Sequence, residues 1–409
     1  MKTSIFKVIC VALFFFAASY LHAQHTDHLD LDLKFEDSVL HVQATYQTRL
    51  KQPSDSLWFI LNPGFRMDTI VAPGLTSYEL VQKADRPFPM RLLTLQEALP
   101  ANQLLEIRFS YRIDLAAQNH MRSQWIELNA DKLWFPNRGD LDNKFTAAVH
   151  IDSFPSRYTL ITYPDTNINR TDGKIHMSRT KPWYEVLLLA GEDMKDSSYD
   201  EKITITAGSQ TPDSVIQSIG EKVRESIDFL NDFHGGSDPI EDFRVVLRNT
   251  SRKEIGFQFN RGSLIVTGTD FNDHGNLAHE IAHYWWNKAS FLVEPWMNES
   301  FANYSTYKVL AHFDPEGLEK ILKRTRKLTE NTIPVSEASQ YAPDAFPSYY
   351  HKGALHLLAL EGEIGEQAMQ QLLTTCVDKR VSTTEGFLNE LEELAGSEQR
   401  IYFEALLDR

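Results

Sequence analysis

The sequence predicts an α+β protein of two domains, an N-terminal antiparallel β-sandwich-like domain followed by a mostly helical one. Three observations carry that expectation. At 409 residues the chain exceeds what one ordinary core accommodates. Up to about Gly208 the apolar residues alternate with polar ones, and beyond it they recur with helical spacing.

The alternating runs are Leu29 to Phe35, Leu40 to Tyr46, Leu104 to Tyr111, Ala147 to Ile151 and Tyr158 to Ile161, separated by clusters of Pro, Gly, Asn and Asp. Period-two runs bounded by such residues are half-buried strands of an antiparallel sheet. Pro212 to Phe233 then has the spacing of an amphipathic helix, with Thr211 as N-cap and His234-Gly235-Gly236 as its stop. Phe243 to Leu247 and Ser263 to Thr267 follow as strands, and from about Leu277 the period is helical. No internal repeat or low-complexity tract interrupts the pattern. The division is therefore 1–23 as a signal peptide, 24–208 as the β domain and 209–409 as the helical domain.

The first of these segments carries Lys2 and Lys7, an apolar run from Val8 to about Ala18, and the small-residue stretch Leu21-His22-Ala23-Gln24. That layout is a secretory signal cleaved after Ala23, and its apolar run falls short of the roughly 20 residues a spanning helix needs. The expectation is an exported protein, periplasmic or secreted, with no stable membrane anchor after cleavage. Without the signal Cys376 stands alone, so no internal disulfide is expected. Removing Lys2 and Lys7 takes the formal charge from −15 to −17, and no basic run breaks the acidic background. Nucleic acid is excluded as a partner on that ground.

The chemistry concentrates in His279-Glu280-Ile281-Ala282-His283, within a segment of helical period. Histidines four apart share a helix face, so both imidazoles reach one metal, and Glu280 lies beside it, placed to take a proton from the attacking water. A catalytic zinc needs a third protein ligand. Glu299, in Trp296-Met297-Asn298-Glu299-Ser300-Phe301-Ala302, supplies a carboxylate at the start of the next helical stretch. Glu294 competes for that role, but the following Pro295 biases it towards an extended loop position. Asn298 and Asn303 are candidates for holding the ligands from behind.

These residues resemble the zinc aminopeptidases typified by aminopeptidase N, which include the leukotriene hydrolase. The shared pattern is the H-E-x-x-H of His279 to His283, an aromatic connection at Tyr284-Trp285-Trp286, and Trp296 to Ala302 in place of W-L-N-E-G-F-A. Tyr349-Tyr350-His351-Lys352-Gly353-Ala354 resembles the family's Y-x-K-G-A, which implies that Tyr350 stabilises the oxyanion, with Tyr349 as the competing assignment. Trp134-Phe135-Pro136 and Trp183-Tyr184-Glu185-Val186 extend the likeness into the β domain. The resemblance implies a thermolysin-like catalytic domain, one zinc ion per chain on His279, His283 and Glu299, and a peptide or protein substrate. It also implies a cleft more open than in longer members, since their large C-terminal helical domain has no counterpart before Arg409.

Two departures bear on function. The connection between His283 and Glu299 holds 15 residues, fewer than the family usually has. The family's amine-anchoring G-x-M-E-N corresponds to Gly256-Phe257-Gln258-Phe259-Asn260, so Phe259 stands where a glutamate grips the substrate's free amine. A hydrogen bond to a charged group contributes about 1.5–3 kcal/mol, so its loss weakens selection of free N termini without touching hydrolysis. Gly256, Phe259 and Asn260 are the expected substrate-binding residues. The readings are a peptidase with altered end selection, using internal bonds or another carboxylate such as Glu127 for the amine; a true aminopeptidase; and a zinc-bearing peptide-binding scaffold without turnover. Oligomeric state is not legible.

Overall fold

A computed structural model of the chain describes residues 26–409 apart from 85, 118–120, 123, 140–142, 164–165, 235–237, 250–255 and 270–272. The expected signal segment and the glycines after His234 lie outside the described residues.

The N-terminal half is built from three sheets around one core. The largest has seven strands in the order Asn167–Thr171, Lys174–Trp183, Phe145–Asp152, Asp27–Glu36, Val39–Arg49, Leu104–Asp114 and Arg66–Val71. Alternation sets its faces: Leu29, Leu31, Leu33 and Phe35 are buried, while Asp32, Lys34 and Glu36 face outward. Two four-stranded sheets pack against it, one containing Ser54–Ile60 and Met90–Leu99, the other Trp125–Leu128 and Leu188–Glu192. The layered β domain is as expected, but the pairing is not wholly antiparallel. Asp27–Glu36 pairs in parallel with Phe145–Asp152. More than a hundred residues separate the two strands, so no hairpin dictates their direction.

The strands Met194–Ser198 and Ile203–Gly208 precede the switch in period, yet they hydrogen-bond into a different sheet. With Phe243–Arg248, Leu264–Gly268 and Phe259–Asn260 they form the five-stranded sheet of the second half. By sheet membership that half therefore starts near residue 193. Helix α1 (Asp213–His234) is the crossover that brings Ile203–Gly208 and Phe243–Arg248 side by side in parallel. Its apolar stripe, Ile216, Ile219, Val223, Ile227 and Leu230, packs into the second core.

Seven further helices follow among the described residues: α2 (His274–Ala282), α3 (Pro295–Phe313), α4 (Pro315–Thr329), α5 (Gly353–Ile364), α6 (Glu366–Asp378), α7 (Thr384–Ala395) and α8 (Ser397–Leu407). α3 is buried along most of its circumference, which is the setting of a central helix. α4 presents a charged outer face and buries little, as a peripheral helix does. Cys376 is buried and unpaired, and among the described residues no helix is long and apolar enough to cross a membrane.

Candidate metal centre

Helix α2 starts where Asp273 caps it, its carboxylate accepting the Asn276 N–H at 2.9 Å. Leu277, Ala278 and Ile281 anchor one side of the helix in the core. This rotation turns His279 and His283, one turn apart, towards α3. Pro295 opens α3 at a position where its missing N–H costs nothing, and Glu299 follows one turn in.

The three side chains converge. The Nε2 atoms of His279 and His283 are 3.1 Å apart, and Glu299 Oε2 lies 3.3 Å from the first and 3.4 Å from the second. Ligands at 2.0–2.1 Å from a tetrahedral zinc are separated by roughly 3.3 Å, so this triangle has the dimensions the ion requires. Among the described residues it is the one group of three potential His, Cys, Asp or Glu ligands so close together.

The hydrogen bonds behind the triangle point the same way. Asn303, one turn after Glu299 on α3, donates through Nδ2 to the Tyr350 carbonyl at 2.7 Å, leaving its Oδ1 to accept from His279 Nδ1 at 3.1 Å. His283 Nδ1 donates to the Trp286 carbonyl at 2.9 Å. With both Nδ1 atoms committed as donors, both Nε2 atoms present lone pairs to the centre. Glu299 Oε2 is buried there without a hydrogen-bond partner, so three acceptors face one another. Burial lowers the pKa of His283, but Glu299 outweighs it and lifts the value to about 9. Burial raises that of Glu299, and the two imidazoles overcome it to hold the carboxyl well below its usual range. Both shifts express the same demand for positive charge between these atoms, which a proton on His283 or a cation satisfies. The residues fit zinc.

Trp286 is itself braced. Its indole N–H points at Ser305 Oγ (3.1 Å) and His234 Nε2 (3.3 Å), and burial pushes His234 down to about 3, so that ring stays neutral.

Glu280 is buried beside the triangle, and among the described residues its carboxylate has no hydrogen-bond partner. The Tyr350 ring stacks on His279, 5.8 Å between centroids. Burial first, then the charges of Glu299 and Glu280, push its hydroxyl pKa well above the ordinary value. Tyr349 is raised to about 12 by burial and then Glu299, and it feels no comparable influence from Glu280. Of the two tyrosines, Tyr350 is the one whose ring lies against a histidine of the triangle.

A π-helical turn, Ser348–Lys352, carries Tyr350 into this position before α5 begins. Such a turn loosens the regular ladder of backbone bonds, and α3 compensates: Ser300 Oγ donates to the Tyr349 carbonyl at 2.7 Å while Asn303 takes that of Tyr350. α3 approaches so closely that a β-carbon at Gly353 would collide with Ser300 Oγ. The remaining candidates have other tasks. Asn298 pins the connection through Ala289, accepting its N–H at 3.2 Å and donating to its carbonyl at 3.1 Å. Glu294 accepts the Thr384 N–H at 3.0 Å and takes no part in the triangle.

The predicted substrate-binding segment lies on the edge strand Phe259–Asn260 of the five-stranded sheet. Asn260 closes a turn, donating to the Gly262 carbonyl (2.9 Å) and accepting the Gly262 N–H (2.8 Å). The Gly256 carbonyl accepts from Arg248 at 3.3 Å. The Phe259 ring is buried between two guanidinium groups, 4.6 Å from Arg261 and 5.6 Å from Arg248. Each arginine is matched by a carboxylate of the β domain. Glu127 binds Arg248 in two-pronged fashion at 2.8 and 3.0 Å, and also accepts from the Trp125 indole at 2.9 Å. Glu185 accepts from Arg261 at 2.6 Å and from the Tyr163 hydroxyl. Glu127 is therefore fully engaged and does not serve as a spare carboxylate for an amine. In the sequence nothing local to Arg248 or Arg261 named a partner, so this cluster was not legible there.

No family model matches the sequence, and no curated protein does. Solved structures do. The M1 zinc metallopeptidase of Deinococcus radiodurans superposes with a TM-score of 0.66 over 94% of this chain and 94% of its own, at 17% identity. A mutant of that enzyme bound to a Tyr-Ser-Ala substrate gives 0.66 at 18% identity with the same coverage. Yeast LTA4 hydrolase gives 0.69 at 17% identity, over 93% of this chain and 66% of its own. The chain has the two-domain fold of the M1 zinc metallopeptidases.

Proposed function

We propose that this protein is a zinc-dependent peptidase with altered selection at the substrate's N terminus. The observation that carries the first part is the triangle of Nε2, Nε2 and Oε2 atoms 3.1–3.4 Å apart, with both histidine tautomers set by their outer partners. His279, His283 and Glu299 would hold the ion. When bound, zinc supplies Lewis acidity, polarising a carbonyl and acidifying water.

The protein's own residues provide the proton traffic. Glu280, whose carboxylate makes no hydrogen bond among the described residues, takes a proton from the attacking water and passes it to the leaving nitrogen. Tyr350 keeps its proton because burial and two carboxylates oppose ionisation, and so remains a donor for the oxyanion. Solved neighbours of the same fold bind peptide or amino acids, which supports a peptide substrate.

The second part rests on Phe259. At the position where the resemblance expects an amine-binding carboxylate, the ring lies between two arginines, and the nearby Glu127 and Glu185 are already neutralised by them. Among the described residues this corner offers an ammonium group no uncompensated negative charge. Internal bonds or blocked N termini are the substrates that do not need one. We further propose that residues 1–23 direct export, to be checked by N-terminal sequencing of the mature protein.

The deciding experiment incubates zinc-loaded protein with a peptide mixture, half with free and half with acetylated N termini, and reads products by mass spectrometry beside a Glu280→Gln control. Internal cuts in both halves are expected. Stepwise trimming of free peptides alone would restore the aminopeptidase reading, and no Glu280-dependent product would leave a zinc-bearing binding scaffold.

A further inference from the structure

On the outer face of the seven-stranded sheet, far in sequence from the α2 motif, a second pair of histidines stands at ligand spacing. His150 of Phe145–Asp152 is directly opposite His176 of Lys174–Trp183 in an antiparallel pair. Their Nδ1 atoms are 3.0 Å apart and the ring centroids 4.4 Å apart. That separation nearly equals the 3.1 Å between the imidazole nitrogens of His279 and His283. Both rings are exposed.

The register extends this pair into a row. Asp32 is opposite His150 on the other side, and Asn169 is opposite His176. Directly paired residues project from the same face, with β-carbons about 4.5–5.5 Å apart. Asp32 is exposed and, among the described residues, makes no hydrogen bond or ion pair. The row forms the floor of a basin of about 860 Å³ whose rim includes Glu36, Asp152 and Asp172. A hydrogen bond between the rings would occupy one Nδ1 lone pair and leave Asp32 idle. A cation takes both lone pairs and draws in the carboxylate.

We propose that His150 and His176, with Asp32 closing in as third ligand, form a second site for a divalent transition metal such as zinc. Imidazole nitrogens with one carboxylate suit that class of ion rather than calcium or magnesium, which prefer all-oxygen cages. An ion there ties three neighbouring strands together, so its effect is on the stability of the β domain, by an amount that grows with free metal. None of the proposed hydrolytic residues lines that basin.

Equilibrium dialysis of the mature protein against zinc, with metal counted per chain, tests this. Two zinc ions per chain are expected in the wild type, one in the His150→Gln/His176→Gln double variant with peptidase turnover unchanged, and one in Glu299→Ala. Zinc should also raise the Tm of Glu299→Ala, and the double substitution should abolish that rise. Saturation of the wild type at one ion, or a second ion that survives the double substitution, would overturn the proposal. Should Glu299→Ala fold poorly, wild type preloaded with one equivalent replaces it, and a second equivalent must then bind only when both histidines are present.

Discussion

Two clusters of buried charge, one joining the two halves of the chain around Phe259 and one within the second half around Glu299, differ in one respect. Around Phe259 every charge has its opposite: Arg248 with Glu127, Arg261 with Glu185, each pair buried and hydrogen-bonded on several sides. Around Glu299 no arginine or lysine among the described residues pairs with the carboxylate, which faces two imidazoles. Two imidazole nitrogens and a carboxylate oxygen face a common point, and among the described residues that oxygen has no hydrogen-bond partner. A buried cluster that is complete holds the structure together, whereas one left incomplete awaits a ligand. Residue type alone does not separate the two, since both use charged side chains in apolar surroundings.

That contrast is open to attack from both sides. The largest effect is expected at the incomplete cluster, where Glu280→Gln should cut kcat by about 10²–10⁴-fold, the range for general acid–base groups, while zinc content is unchanged. Full activity in that variant would remove Glu280 from the mechanism. Tyr350→Phe should lower kcat by about 10²–10³-fold with little change in KM, as loss of one oxyanion donor does. Steady-state kinetics on a single internally cleaved peptide reads both.

The complete cluster should respond in stability instead. Arg248→Met strands Glu127 without its partner and is expected to cost about 3–5 kcal/mol in urea unfolding. Adding Glu127→Leu should recover much of that loss, because an apolar pair needs no compensation. No recovery in the double variant would mean that the pair acts through something other than mutual neutralisation.

Smaller effects sharpen the boundary between the two. Asn303→Ala leaves every ligand in place but frees the His279 tautomer, so zinc affinity should fall by roughly 10–100-fold. His234 supplies a pH signature. Its pKa is about 3 when folded, against an ordinary value of 6.5. Between these values the unfolded chain binds a proton that the native state refuses, so stability should rise with pH by up to ~1.4 kcal/mol per unit and level off above 6.5. In His234→Gln this contribution should vanish, which chemical denaturation at pH 5 and pH 7.5 will show.

The parts of this molecule that could be read in advance are those written within one helix or one strand. His279 and His283 are four apart on α2, and Asn303 follows Glu299 by the same interval on α3, so facing directions came directly from helical period. Alternation likewise placed Leu29, Leu31 and Leu33 inside. Alternation says nothing about which strand lies alongside, however. That is why the parallel pairing of Asp27–Glu36 with Phe145–Asp152, and the entry of Met194–Ser198 and Ile203–Gly208 into the second sheet, emerged only in three dimensions. The Arg248–Glu127 contact spans 121 residues, and Glu127 viewed alone resembled a free carboxylate. His150 and His176 are separated by two further strands, which hides their pairing from any local pattern.

The π-helical turn at Ser348–Lys352 makes the position of Tyr350 a question of rotational phase. Each residue of an α-helix advances the side-chain direction by about 100°, so one residue more or fewer in that turn swings the tyrosine to another side of the helix without changing any side chain's identity. Ser300 and Asn303, bonded to the carbonyls of Tyr349 and Tyr350, act as the detent that keeps α5 from slipping into the regular pitch. A single-residue deletion between Pro347 and Gly353 would therefore disarm the oxyanion donor while preserving its sequence motif almost intact. Comparing motifs alone would miss such a loss.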